Sequence, residues 1–196
     1  MGKIKLTEKE KDLIKKNQKY IQNNDWDGFF NSLPSVYSDE WIAFSHIFQF
    51  CLECVPDLLY KISKIPNRAF SDSDIKSINI PSNIKEIGGC VFKRCENLKS
   101  VSIPNGVTEI GNYAFDGCRS LTNITIPDSV TEIGRNVFGG CKSLTNITIP
   151  DSTTIVWTDA FANSSFERIS IPEHLLGQAS SWALPNYCEI HVRLNK

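Results

Sequence analysis

The residues of this chain whose types and spacing bear on chemistry are its 7 cysteines, its 3 histidines and a set of regularly spaced glutamates. Cys51-x-x-Cys54, with His46 nearby, has the spacing of a zinc half-site or a dithiol redox centre. A zinc site needs a second pair of ligands, and a thioredoxin-type motif needs a strand ahead of its helix. The sequence supplies neither, and both cysteines fall on the apolar stripe of a helical segment, so core packing is the expectation. Cys95, Cys118 and Cys141 recur once per 23 residues. A metal or disulfide ladder is one reading of them; small apolar fillers are the favoured one, because metal ligands must converge from several directions and a column is one row. Glu86, Glu109 and Glu132 keep the same interval. Carboxylates stacked about 5 Å apart could hold a cation, but ordinarily they face water. His46, His174 and His191 lie far apart with no nucleophile signature around them, and no phosphate loop or dinucleotide fingerprint occurs. The expectation is a non-enzymatic chain with no metal and no cofactor.

What positions these residues is a repeat. The Ile-Pro dipeptide recurs with proline at 81, 104, 127, 150 and 172, spacings of 23, 23, 23 and 22. Aligned on that register, apolar columns separate from polar ones. Leu98, Leu121, Leu144 and Phe166 form one column, with Ile75 ahead of them; Val101, Ile124, Ile147 and Ile169 form the next, followed by Ile103, Ile126, Ile149 and Ile171. Their alternation is that of a short strand with one face buried. A second extended piece carries Val107 and Ile110, or Val130 and Ile133, and an Ala-Phe or Val-Phe pair ending at Phe70, Phe92, Phe115, Phe138 or Phe161 fills the middle of each unit. Proline ends the strand because it lacks the next ladder donor, and Gly88, Gly111 and Gly134 mark a second corner. One 23-residue unit has too little core to stand alone, so the units must stack into a solenoid.

The unit Ile-Pro-x-x-Val-Thr-Glu-Ile-Gly-x-x-Ala-Phe-x-Gly-Cys-x-Ser-Leu-Thr-x-Ile resembles the BspA-like, Treponema-type leucine-rich repeat over about residues 60 to 173. The resemblance implies an α/β, β-rich, right-handed leucine-rich-repeat solenoid of about five 23-residue coils. It also implies a binding scaffold with no shared catalytic residue. Members of that family include surface proteins that bind host molecules and short intracellular forms in bacteria and large phages.

The ends of the chain do not repeat. Residues 1-58 read as an N-terminal helical cap, 59-172 as the repeats and 173-196 as a C-terminal cap of short helix and strand. Thr7-Glu8-Lys9-Glu10 is a capping box ahead of the stripe Leu13, Ile14, Asn17, Tyr20 and Ile21. Asp25 is placed to cap a second helix with Trp26, Phe29, Phe30 and Leu33, and Asp39 to Val55 reads as a third. The lysine-rich start holds seven Lys against three acids over residues 3 to 19 and is expected to be a solvated helix face. Past Pro172 a short helix runs toward Trp182, and Cys188 to Val192 alternates as a last strand with His191 facing solvent.

Composition excludes several classes. With 21 basic against 22 acidic residues the formal charge is -1, which argues against bulk electrostatic binding of nucleic acid. The apolar run Trp41 to Cys54 is broken by Ser45, His46, Gln49 and Glu53, so no membrane span is expected. No signal core follows Met1, and an odd number of cysteines without paired spacing suits a reducing compartment; the expected location is cytoplasmic.

In a repeat scaffold a partner is read by columns that vary while the frame is held. Lys76, Lys99, Thr122, Thr145 and Glu167 run from basic to acidic along the strand, with Arg168 in the neighbouring row. Arg68, Cys90, Tyr113, Asn136 and Asp159 occupy the turn before each Phe pair and share no chemistry. Tyr113 is the best anchor among them. Trp157 replaces the corner glycine and is expected to pack against the C-terminal cap near Trp182, with a partner anchor as the alternative. The expectation is a module that binds a protein partner. An inhibitor of a host defence factor carried by a phage or mobile element, and a bacterial surface adhesin, stay open beside it.

Overall fold

A computed structural model describes residues 6–23, 25, 26, 28, 29 and 57–194. The repeats form a parallel β-solenoid, and each of the first five coils contributes two short strands. One set stacks as a five-stranded sheet: β1 (Lys64–Ile65), β3 (Glu86–Ile87), β5 (Glu109–Ile110), β7 (Glu132–Ile133) and β9 (Ile155–Val156). The other set is split into two three-stranded sheets. The first holds β2 (Ser77–Asn79), β4 (Ser100–Ser102) and β6 (Asn123–Ile124); the second holds β8 (Asn146–Thr148), β10 (Arg168–Pro172) and β11 (Glu189–Arg193). The register is the sequence repeat itself, for example Glu86↔Glu109↔Glu132 and Ser77↔Ser100↔Asn123.

The apolar columns become the core. Leu98, Leu121, Leu144 and Phe166 are buried, as are Ile87, Ile110 and Ile133. The phenylalanines stack in parallel through the coils, Phe70–Phe92–Phe115–Phe138–Phe161, with centroids 5.4, 5.2, 5.7 and 5.9 Å apart and rings within 12° of parallel. Each such pair adds about 0.5–1.5 kcal/mol beyond the area it buries, so the column ties each coil to the next. Beside it, the thiols of Cys95, Cys118 and Cys141 donate to the carbonyls of Phe70, Phe92 and Phe115 at 2.9, 3.1 and 3.3 Å. The cysteines are buried fillers with free thiols, as their single-row spacing predicts.

At the C-terminal end the cap continues the stack instead of merely covering it. The 3-10 helix Glu173–Ser181 leads to Trp182, and the amides of Asp159 and Phe161 donate to the carbonyls of Ser181 and Trp182, as each coil does to the next. Strand β11 pairs with β10 over all five residues, and His191 is exposed as expected. The expected five coils are therefore extended by a degenerate sixth. Trp182 closes the aromatic column, lying edge-on to Phe161 at 5.9 Å, with its indole N–H on the Val156 carbonyl at 3.1 Å.

At the other end, α1 (Glu8–Lys16) begins at the capping box of Thr7 and Glu10. The helix breaks at Asn17, whose side chain donates to the Leu13 carbonyl at 3.0 Å, and resumes as α2 (Gln18–Gln22). Leu13, Ile14, Tyr20 and Ile21 pack on the hydrophobic core. Asp25 caps the following segment through the Gly28 amide at 2.9 Å. A short α3 (Leu58–Lys61) precedes β1. Phe30, Leu33, His46, the Cys51–Cys54 pair and the helix expected over 39–55 lie outside the described residues.

Candidate functional site

The strand column expected to meet a partner is assembled by backbone bonds. The amide of Lys99 donates to Lys76 O at 2.8 Å, that of Thr122 to Lys99 O at 3.3 Å and that of Glu167 to Thr145 O at 2.8 Å. Lys76, Lys99, Thr122 and Glu167 are exposed and Thr145 is half-buried. The lysine-to-glutamate order thus lies along one edge of successive coils. Arg168 is exposed beside it and forms an ion pair with Glu189 at 3.1 Å. The strand ladder is interrupted between β6 and β8.

The turn column has a common property that its residue types conceal. Arg68, Cys90, Tyr113, Asn136 and Asp159 all adopt the left-handed region, with φ of 65°, 57°, 60°, 52° and 59°. Glycine enters that region without cost and other residues pay a steric penalty, so this column is a conserved backbone corner carrying arbitrary side chains. It does not all reach solvent. Arg68 is only 7% exposed and is withdrawn from solvent. Tyr113 is half-buried, and its ring face is occupied by the Lys93 ammonium 4.8 Å from the centroid; that lysine also pairs with Asp116 at 3.2 Å. Asp159 pairs with Arg135 at 3.1 Å, and burial pushes the Cys90 thiol up. Asn136 is half-buried.

The five-stranded sheet presents a more distinctive surface. Its outward column is Lys64, Glu86, Glu109, Glu132 and Ile155 in strict register. Lys64 forms an ion pair with Glu86 at one end. At the other, the Trp157 indole N–H donates to Glu132 Oε1 at 2.6 Å. Glu109 stands between two carboxylates; partial burial first, then repulsion from Glu86 and Glu132, holds its carboxyl above the usual range, and Lys64 opposes this weakly. Trp157, expected to pack against the C-terminal cap with a partner anchor as the alternative, is 49% exposed, and Trp182 lies against the last phenylalanine of the aromatic column. Ile155, 41% exposed, adds apolar surface two residues away. Ile155 and Lys64 were absent from the columns singled out in sequence, although the repeat register alone places both in the glutamate row.

Among the described residues no three histidines, cysteines or acids converge as a metal site, and no helix is long and apolar enough to cross a membrane. His174 Nε2 lies 2.7 Å from the Thr153 carbonyl, far in sequence from the exposed His191.

A family model for the BspA type leucine rich repeat region matches residues 63–184 in six copies, more than half of the chain. Among solved structures, a leucine-rich repeat protein of T. pallidum is similar at 24% identity, with a TM-score of 0.56, over 68% of this chain and 67% of that one. One from Eubacterium ventriosum is 28% identical, with a TM-score of 0.56, over 66% of this chain and 37% of that one. The pneumococcal vaccine antigen PcpA is 20% identical, with a TM-score of 0.55, over 68% of this chain and 34% of that one. The chain thus spans little more than a third of the last two. No curated protein matches the sequence.

Proposed function

The chain belongs to the BspA-type leucine-rich repeat family, and from that premise we propose that it is a non-enzymatic module that binds a protein partner at the Trp157 end of its five-stranded sheet. Repeat solenoids of this kind generally act as binding scaffolds, and the fold alone does not fix the partner. The observation that carries the reading is Trp157. A tryptophan half in water is a costly exposure unless something covers it, and a fixed aromatic is a preferred anchor at interfaces. Here the ring is held by its bond to Glu132 and flanked by Ile155. The row Glu86, Glu109 and Glu132 gives the same surface a negative field, which favours a partner segment carrying lysine or arginine.

The gradient column Lys76 to Glu167 is a second, polar surface, better suited to orienting a partner than to anchoring it. No feature of the described residues singles out host-factor inhibition or adhesion as the purpose of the binding.

The test is cross-linking of the tagged chain in extract of its source cells, with Trp157→Ala and Glu132→Gln beside the wild type. A partner recovered with the wild type and depleted at least tenfold with Trp157→Ala supports the reading, since interface tryptophans commonly contribute about 2 kcal/mol or more. Undiminished recovery with both variants would sink it. So would turnover of a small-molecule substrate that a single polar substitution abolishes.

A further inference from the structure

Strand β11 is the outer edge of its sheet: it pairs parallel with β10 and, among the described residues, with no strand beyond. Along the inner face Ile147 and Ile169 are buried, whereas Ile190, next in register, is 41% exposed. Tyr187 and Leu194, at the two ends of the strand, are 65% and 72% exposed. An open groove of about 600 Å³ is lined by Arg168, Glu189, Ile190 and His191.

The backbone along this edge is ordered for pairing. The Glu189 amide donates inward to Glu167 O at 2.8 Å. Alternation along a strand then turns the N–H and C=O groups of Ile190 and Val192 outward, away from β10.

Charges on an edge strand ordinarily block the addition of another strand. The order Glu189-Ile190-His191-Val192-Arg193 does so for most partners but is complementary to itself when reversed. We infer that β11 is the docking edge for a second copy of this chain, the two strands pairing antiparallel about His191. In that register Ile190 of one copy lies opposite Val192 of the other. Both present their backbone groups outward, so they exchange two hydrogen bonds on each side of the axis. Glu189 then lies opposite Arg193 of the second copy, and His191 opposite its equivalent. Glu189 keeps 72% of its side chain exposed while pairing with Arg168, which leaves it free to accept a second guanidinium. Arg193 is held in place by Asp151 at 2.7 Å and Ser170 Oγ at 2.8 Å, with 28% of its side chain still exposed. Two three-stranded sheets become one continuous sheet, and the apolar columns that run out at Ile190 continue into the second copy.

The experiment is sedimentation velocity on the full chain across a wide concentration range, joined to cysteine cross-linking. A dimer is expected. Glu189→Lys, which sets like charges opposite each other twice, weakens it about tenfold. In an antiparallel pair of this kind equivalent residues at the axis lie about 4.5 Å apart, within disulfide reach. His191→Cys therefore gives a covalent dimer on oxidation beyond the wild-type background, whereas Glu189→Cys, remote from its own equivalent, does not. A chain that stays monomeric at every concentration overturns the inference. A dimer indifferent to Glu189→Lys, in which His191→Cys fails to cross-link, overturns it equally. Melting curves of the variants separate loss of pairing from loss of fold, and the cross-linking result stands even if Glu189→Lys folds poorly.

Discussion

The thiol of Cys118 donates to the backbone carbonyl of Phe92, one coil back, at 3.1 Å in the buried centre of the solenoid. The same bond recurs from Cys95 and Cys141, so each sulfur is a second donor to a carbonyl beside the aromatic stack that already accepts a backbone amide. Burial pushes all three thiols above their ordinary value of 9.0, Cys141 up to about 12, and nearby acids or thiols add to it.

Two consequences follow for the thiols. Iodoacetamide at mildly alkaline pH should leave Cys95, Cys118 and Cys141 unmodified in the folded chain and label them in denaturant, as peptide mapping would read; labelling of the native protein would contradict the packing. Stability should also fall as pH rises. Above about pH 9 the unfolded chain loses protons that the folded chain keeps, so the stabilisation is complete below that pH and is lost toward about 12 for Cys141. The denaturation midpoint should drop between these limits, and less steeply when the three are replaced by alanine.

At Asn136 the backbone takes φ 52°, a value shared in kind by every residue of its column. Asn136→Gly should be close to neutral, since glycine accepts this conformation. Asn136→Val should destabilise by about 1–3 kcal/mol, because a β-branched side chain is an outlier there. Equal melting temperatures for the two would show that the corner can relax.

The two columns mark what a single sequence reveals. The positions of Cys118 and Phe115 were legible because burial selects residue type, and type is what repeats. The left-handed corner was not, because it constrains a dihedral angle and leaves the side chain open: arginine, cysteine, tyrosine, asparagine and aspartate share no composition. For the same reason Arg68 passed for a surface residue although it is buried. Two tryptophans lie near the C-terminal end, and residue type alone does not say that Trp182 is the one that meets Phe161 at the end of the aromatic column. The pairing of Trp157 with Glu132 depends on a register between strands that residue spacing gives only once the coils are known to stack.

Glu109 is held above the usual carboxylate range by partial burial and by its two glutamate neighbours. With its folded pKa raised, Glu109 disfavours the folded state increasingly as pH rises through that value, and below the unfolded value the effect is absent. Glu109→Gln should therefore raise the melting temperature at neutral pH, and the gain should vanish at about pH 3, where both states are protonated. The site is largely open to solvent, so the gain should be only a few tenths of a kcal/mol and should shrink in high salt. A loss of stability at neutral pH would mean that the glutamate row is held together by something other than its coils.

Trp182 decides whether the solenoid has a closed end. It is fully buried, meets Phe161 edge-on, and gives its indole N–H to Val156 O at 3.1 Å. Its own carbonyl accepts the Phe161 amide, so one residue terminates both the aromatic column and the backbone ladder. Trp182→Ala removes the ring and leaves a cavity against the last phenylalanine, and a core change of this size costs about 3–5 kcal/mol. Because each coil contacts only its neighbours, that loss falls first on the C-terminal coils. Hydrogen exchange should show β9, β10 and β11 losing protection while β3 and β5 keep theirs. Trp182→Phe, which retains a ring but not the donor, should lose less. Uniform loss of protection along the whole stack would show that the coils unfold as one unit, and that the cap acts on all of them.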